Sequence, residues 1–302
     1  MPATSGAFSA LLAPGLRKVY IDYMKKWPEE YSQIANIQTS KRAYEEDRIF
    51  AGLGSFLIKK EGEPIQYDTG QQGNAKRYTH IASALGFRVT REAFADDLYN
   101  VIGPKMARSL AQSATDSVEL QFGALWDDIF AGATYLGFDG KPLASTTHIT
   151  VFGATQVNRP ATDVDLGVSS LRAALENLEN TADEHGFPRM KRGTRLIVGS
   201  SFQWIAKELT ESALKPYTAD NEKNVFADMK LSYMVYHYQS DANAWALSCP
   251  SSEQDVNFFW RERPIFENSD DFDTKDAKFT GYMRNSMGFG DWRGWYASSG
   301  ST

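Results

Sequence analysis

The clearest alternation of apolar and polar positions lies at Leu85, Phe87 and Val89, which interleave with Gly86, Arg88 and Thr90 at the two-residue period of a half-buried strand. From Arg91 onward the spacing becomes that of a helix. Ala93, Phe94, Leu98 and Val101 mark a short helix, which Gly103-Pro104 is expected to end or kink, because proline lacks the amide and clashes with the preceding turn. A second helix is expected from Pro104 to Phe130, where Leu110, Ala114, Val118, Phe122, Leu125 and Ile129 recur every three or four residues as one stripe. At 1.5 Å per residue it would span about 40 Å, long for a globular helix.

The same patterning divides the rest of the chain. Leu16, Val19, Tyr20 and Tyr23 share one helical face between Pro14 and Pro28, a run too short to hold without something to pack on. Residues 1–48 therefore read as an arm whose partner is expected in another subunit. From Ile49 to Val89 the chain makes a long excursion: outward to Lys60, a turn at Glu61-Gly-Glu-Pro64, then a short alternating piece at Ile65 and Tyr67. Asp68 to Lys76 contain almost nothing that could be buried, so they are expected to project and to be ordered by contacts elsewhere. Past the glycines at 137 and 140, Leu171, Leu175, Leu178 and Ala182 form a helix stripe, and Arg195 to Gly199 a short strand. A helix with Phe202, Ile205, Ala206 and Leu209 follows, capped by Ser200-Ser201. Leu231–Tyr238 and Ala244–Cys249 read as a hairpin around Ser240–Asn243. The final strands are expected at Val256–Phe266, Ala277–Met287 and Trp292–Ala297, the first two separated by an acidic loop at Asn268–Asp276. The fold class is α+β.

With 302 residues, 42% hydrophobic and 13% aromatic, the chain can bury a large core and is expected to form more than one lobe. A net charge of -6 argues against tight non-specific binding of nucleic acid, which needs clustered Lys and Arg to displace phosphate counterions. It does not exclude standing close to DNA. Cys249 is the single cysteine, so no intrachain disulfide is available, and it reads as a small buried hydrophobe. The amino terminus lacks a basic stretch followed by an apolar core, and no apolar run approaches the roughly 20 residues of a membrane span. A soluble protein made in the cytoplasm, with no membrane partner, is expected.

Candidate chemistry changes the picture little. Gly199-Ser200-Ser201-Phe202 stands between strand and helix as a nucleophile elbow would, but Gln203 takes the place of the closing glycine. A helix cap is the simpler reading, and a serine-dependent hydrolase built on Ser200 or Ser201 is the remote alternative. Gly288 to Gly294 has no helix after it to present an amino terminus to phosphate, and reads as a β-turn with aromatic packing. Asp270 to Asp276 lacks the central glycine and closing glutamate of a calcium loop. His80, His148, His185 and His237 show no metal-binding spacing. No catalytic residue, metal ligand or cofactor is expected, and the chain is expected not to be an enzyme.

A series of short segments, in order over nearly the whole chain, resembles the major head (capsid) subunit of Mu-like tailed bacteriophages and prophages. They are Leu12-Ala-Pro-Gly-Leu-Arg-Lys-Val-Tyr20, Gly52-Leu-Gly54, Lys60-Glu-Gly62 with Ile65-Gln-Tyr-Asp68, Tyr78-Thr-His80, Gly86-Phe-Arg-Val-Thr-Arg-Glu92, Asp96-Asp-Leu-Tyr99 and Gly290-Asp-Trp-Arg-Gly-Trp295. The resemblance implies the Hong Kong 97 type of capsid fold: an N-terminal arm (1–48), an extended β-hairpin loop (49–90), a peripheral domain with a long spine helix (91–150), an axial α/β domain (151–255) and peripheral return strands (256–302). It further implies self-assembly into pentamers and hexamers of an icosahedral head enclosing double-stranded DNA, without sequence-specific binding. Expected partners are a scaffolding protein supplied in trans, a portal and decoration proteins. Assembly would take place in the cytoplasm of the bacterial host, and the mature location would be the virion. An encapsulin-type nanocompartment shell is the alternative within the same fold. Lys59, Lys60, Tyr67, Lys76, Arg77 and Tyr78 are the candidates for subunit contact, with the two tyrosines as anchors or, equally, as packing within their own hairpin. Gly103 and Pro104 are the hinge candidates. Some members of the fold join a loop lysine to a neighbour's asparagine, for which Lys59, Lys60 or Lys76 and Asn285 or Asn268 would be the partners here.

Overall fold

The computed structural model describes residues 8–95, 99–212, 214, 223–271, 273, 274 and 276–301. In chain order, helix α1 (Phe8–Met24) and the short α2 (Tyr31–Ile34) precede β1 (Asn36–Thr39), β2 (Tyr44–Ala51), β3 (Gln71–Thr79) and β4 (Ile81–Val89). Next come α3 (Arg91–Ala95), α4 (Tyr99–Asp127), the small pair β5 (His148–Ile149) and β6 (Thr155–Gln156), and α5 (Val168–Glu179). Then follow β7 (Arg195–Val198), α6 (Gln203–Glu211), α7 (Val225–Asp228), β8 (Ser232–Val235) and β9 (Trp245–Ser248). The chain closes with β10 (Val256–Asp270), β11 (Ala277–Phe289) and β12 (Trp295–Ser298). It divides into two compact units. Among the described residues, no helix is long and apolar enough to cross a membrane.

The first unit comprises Met1–Glu45, Tyr78–Phe122 and Phe258–Met287. Its sheet has the order β1-β10-β11-β4, and β4 pairs antiparallel with β11 from Val89↔Ala277 to Ile81↔Asn285. One core joins α1, α4 and this sheet through Leu16, Tyr20, Ala107, Leu110, Ala111, Phe266 and Phe279. The amino-terminal helix thus finds its packing partner within its own chain, contrary to the expectation of an arm resting on another subunit. It also runs straight through Pro14.

Helix α4 is a second departure. It starts at Tyr99 rather than Pro104 and continues through Gly103-Pro104 without a break. A proline here forfeits one backbone bond, and burial of Ala107, Leu110 and Ala111 directly after it offsets that loss. The break expected at Gly103-Pro104 is thus absent, while Asp96 and Asp97 of the expected short helix lie outside the described residues. Glu119, buried on the same helix, accepts the Glu30 amide (2.7 Å) and the Tyr31 amide (3.3 Å), satisfying donors at the start of α2.

The second unit comprises Glu46–Arg77, Gly123–Asn257 and Gly288–Thr302. Its sheet has the order β12-β9-β7-β8, with α5 and α6 packed on it through Leu171, Leu175, Leu178, Ala206 and Leu209. The hairpin expected from β8 and β9 does not form. β7 lies between them, parallel to β8 and antiparallel to β9, so the two strands never pair. Parallel pairing needs a crossover, which α6 and α7 supply. The strands grouped at 256–302 are likewise divided: β12 pairs antiparallel with β9, from Trp295↔Ser248 to Ser298↔Trp245, and belongs to this second sheet.

Candidate assembly surface

Among the described residues, the excursion between β2 and β3 is the most exposed apolar feature of the second unit. The two strands form a two-stranded sheet at its root. Gly73 is required there, since a Cβ would lie 2.5 Å from Ile49 Cγ2. Two hydrogen bonds fix the root to the body of the unit, and a ring contact steadies one of them. Asn74 Nδ2 donates to the Phe138 carbonyl (2.9 Å), His185 Nε2 lies 2.7 Å from the Gly52 carbonyl, and the His185 ring packs on Phe152 at 4.5 Å. Beyond them residues 52–70 form neither helix nor strand. Asp68 ties the two limbs, accepting the Gly54 and Thr69 amides at 2.8 Å each, and those bonds hold its carboxyl below the usual range. The tip turns at Glu61-Gly62, closed by the Glu63 amide on the Lys60 carbonyl (3.2 Å), with Gly62 at φ +82°.

What the tip shows to solvent is apolar. Phe56 and Ile58 are completely exposed, Tyr67 is 91% exposed, and Leu57 and Ile65 stand two-thirds exposed beside them. Isolated exposed hydrophobes are ordinary, but five on one projecting loop mark a surface meant to be covered. Full burial of each is worth roughly 1.5–3 kcal/mol.

The six expected contact residues separate into three groups. Lys59, Lys60 and Tyr67 lie on the exposed tip. Lys76 and Arg77 are strand residues of β3, not parts of a projecting polar loop. The Lys76 ammonium is half-buried, and desolvation lowers its pKa; Arg77 lies 3.2 Å from Glu46, which also holds Arg48 at 2.9 Å. Tyr78 departs from both of its expected roles: only 2% exposed, its ring is turned inward and packs on Phe259 of β10 at 5.1 Å rather than within its own hairpin. Asn285 is 1% exposed in the centre of β11, which removes it as an acceptor for a neighbour's lysine. Phe56, Leu57, Ile58 and Ile65 were hidden because an apolar run between turn signals reads equally as an inward-facing strand. The signal that could have found them was the absence of any matching apolar run on the returning limb.

The segments that looked most like signatures serve the fold. In Tyr78-Thr-His80 the histidine is buried between Ser40 Oγ (3.0 Å from Nε2) and Ser286 Oγ (2.9 Å from Nδ1), and desolvation lowers its pKa. Gly290 to Trp295 forms a knot in the second unit. The Gly290 and Asp291 amides donate to Asp255 Oδ2 at 3.0 and 2.8 Å, and burial raises the Asp255 pKa. Trp292 stacks on His148 with centroids 4.2 Å apart. Arg293 lies 2.8 Å from Glu184 and donates through Nε to the Ala182 carbonyl at 2.8 Å. His148 itself reaches Asp139 (2.6 Å) and Asn158 (2.9 Å), and Asn158 Nδ2 donates to the Leu143 and Trp295 carbonyls. Ser201 donates its hydroxyl to the Ala242 carbonyl and is held in a 3-10 turn.

The family model for phage capsid protein matches residues 75–298 of this chain. The chain belongs to the phage capsid protein family. Among solved structures, this capsid protein is similar to the procapsid subunit of bacteriophage JBD30, with 17% identity and a TM-score of 0.53 over 98% of this chain and 76% of that one. It is similar at 11% identity to a Microbacterium phage Oxtober96 protein, with a TM-score of 0.56 over 91% and 92% of the two chains. A virus-like particle subunit from Pyrococcus furiosus is similar at 11% identity, with a TM-score of 0.55 over 94% and 97%. No curated protein matches it significantly. At these identities the structural likenesses show the fold alone, an α+β architecture of the Hong Kong 97 type. The capsid protein is therefore a structural, self-assembling shell component of the virion and not an enzyme, and the hydrolase reading of Ser200 and Ser201 falls.

Proposed function

We propose that this chain is the major head subunit of a Mu-like tailed phage or prophage, building the icosahedral shell that encloses double-stranded DNA. The exposed apolar tip at 56–67 carries the reading, since a capsid protein with five uncovered hydrophobes at the tip of one loop has a surface suited to a neighbouring subunit. In this reading residues 49–90 are the extended loop and α4 the spine helix, while the sheet of the second unit is the core of the axial domain around the rings of five and six. Each contact is weak; closure multiplies them into one stable particle. Lys59, Lys60 and Tyr67 meet the neighbour together with Phe56 and Ile58. Gly103-Pro104 is the point where α4 bends on maturation. A scaffolding protein in trans, a portal and decoration proteins complete the assembly in the bacterial cytoplasm.

The near full-length likeness to a virus-like particle favours a second reading, a nanocompartment shell of encapsulin type that holds a cargo protein. Electron microscopy of the chain expressed with its neighbouring genes separates the two. DNA-filled heads support the first reading, cargo-filled cages the second, and small oligomers alone would reject both.

A further inference from the structure

Strand β4 is an open edge of the first unit's sheet. Among the described residues its one strand partner is β11, and the pairing runs without a bulge from Val89↔Ala277 to Ile81↔Asn285. Antiparallel strands turn alternate N–H and C=O groups to either side, so this nine-residue strand directs a row of backbone groups away from β11 with no bond to any described residue. Side chains do not cover that row. Ile81 is 61% and Leu85 57% exposed, and Ala82, Ala84 and Gly86 stand open beside them. Such an edge is a template for another strand, and proteins normally blunt it by short length, charge, proline or a bulge. Among the described residues the other edges are blunted. β1, β8 and β12 are four residues each, and β5 and β6 are two. β2 carries Glu45, Glu46, Asp47 and Arg48, and β3 carries Lys76 and Arg77. β4 has the single charge of Arg88, which already lies 3.8 Å from Asp276 of its own chain.

The strand also fits itself. Turned antiparallel about Leu85, two copies set Leu85 beside Leu85, Ile81 beside Val89, Ala82 beside Arg88 and Ala84 beside Gly86. Alternate residues share a face, so the exposed Ile81 and Leu85 join one apolar strip across both copies, while Ala82, Ala84 and Gly86 keep the other face small enough for close approach. The two Arg88 side chains fall at opposite ends of the pair, about 20 Å apart along the strands, and do not repel. We propose that β4 is the seat of a symmetric contact between two copies of this chain, edge to edge and antiparallel about Leu85, which joins their first-unit sheets. This contact is separate from the loop tip and does not depend on the head-subunit reading.

The test is disulfide trapping of the purified full-length subunit under a mild oxidant, read as dimer on a non-reducing gel. Cys249 is buried, and the unaltered chain sets the background. Leu85→Cys meets its own copy directly and Ala84→Cys only on the diagonal, so the first should give dimer at least about fivefold faster. Ala82→Cys and Arg88→Cys should each stay monomeric alone and join when mixed. Adding Ala84→Lys, a change at an exposed position, should leave a folded monomer on gel filtration and slow the Leu85→Cys dimer at least about fivefold. Adding Trp204→Lys, an exposed position of the second unit, should leave that rate unchanged. No dimer from Leu85→Cys, or equal rates from Leu85→Cys and Ala84→Cys, overturns the proposal. So does faster joining of Phe56→Cys to Ala84→Cys than of Leu85→Cys to itself, which would give the edge to a neighbour's loop. None of these readouts needs a closed shell, so failure here leaves the head-subunit reading standing.

Discussion

Tyr67 and Tyr78 carry the same ring into opposite surroundings and make opposite predictions. Tyr78→Ala removes a ring packed on Phe259 and should cost about 3–5 kcal/mol of subunit stability, read as a lower urea midpoint. Tyr67→Ala removes a ring in solvent, so the midpoint should move by less than about 0.5 kcal/mol while the yield of closed shells falls. Glu119 gives a pH signature. Burial, the leading cause, raises its pKa to about 7, with the nearby Glu30 and Glu29 charges adding to it and the two backbone bonds opposing it. The folded protein therefore holds a proton there that the unfolded chain has lost above pH about 4.5. This contribution is complete below that value and disappears as pH rises through about 7. Urea midpoints between pH 5 and 8 should show it as a decline on the order of 2 kcal/mol that Glu119→Gln abolishes. His80 acts in the other sense: its lowered pKa means stability is lost as pH falls through the histidine range, which makes the Glu119→Gln comparison necessary to separate them.

Among the elements, replacing residues 55–66 by a Gly-Ser turn should leave both sheets intact, since the root contacts at Gly52, Asn74 and His185 lie outside the segment. Gel filtration should then give a folded subunit, and normal particles from it would remove the loop from assembly. Pro104→Ala should stiffen α4 and raise subunit stability by up to about 3 kcal/mol, while slowing any change of head shape that uses a bend there. The sequence displayed its periodic elements well. The alternation at Leu85, Phe87 and Val89 is β4, and the stripe from Leu110 to Leu125 is the buried face of α4. Pairing was another matter. Nothing local to Leu231–Cys249 announces that β7 enters between β8 and β9, because a strand's partner is set by long-range burial rather than by the turn beside it. The polar run Gln71–Lys76 became β3 for the same reason: its pairing with β2 supplies order that its side chains do not.

For the whole molecule, burial of Asn285 leaves the exposed Asn268 as the acceptor open to a neighbour's lysine, so any ladder of covalent multimers on a denaturing gel should persist in Asn285→Ala and vanish in Asn268→Ala. The second unit draws on three separated stretches of chain, and its sheet is finished by Trp295–Ser298 alongside β9. That order of assembly has a temporal side. While the ribosome is still adding residues 250–290, β9 has an uncovered edge and the Gly290–Trp295 knot that holds Glu184 and Asp255 does not exist. The unit that roots the apolar tip therefore matures only after synthesis has passed Ser298, and domains generally fold as units once their chain is complete. Until then the sheet stays open along β9, so a subunit whose second unit is complete is one whose synthesis has passed Ser298.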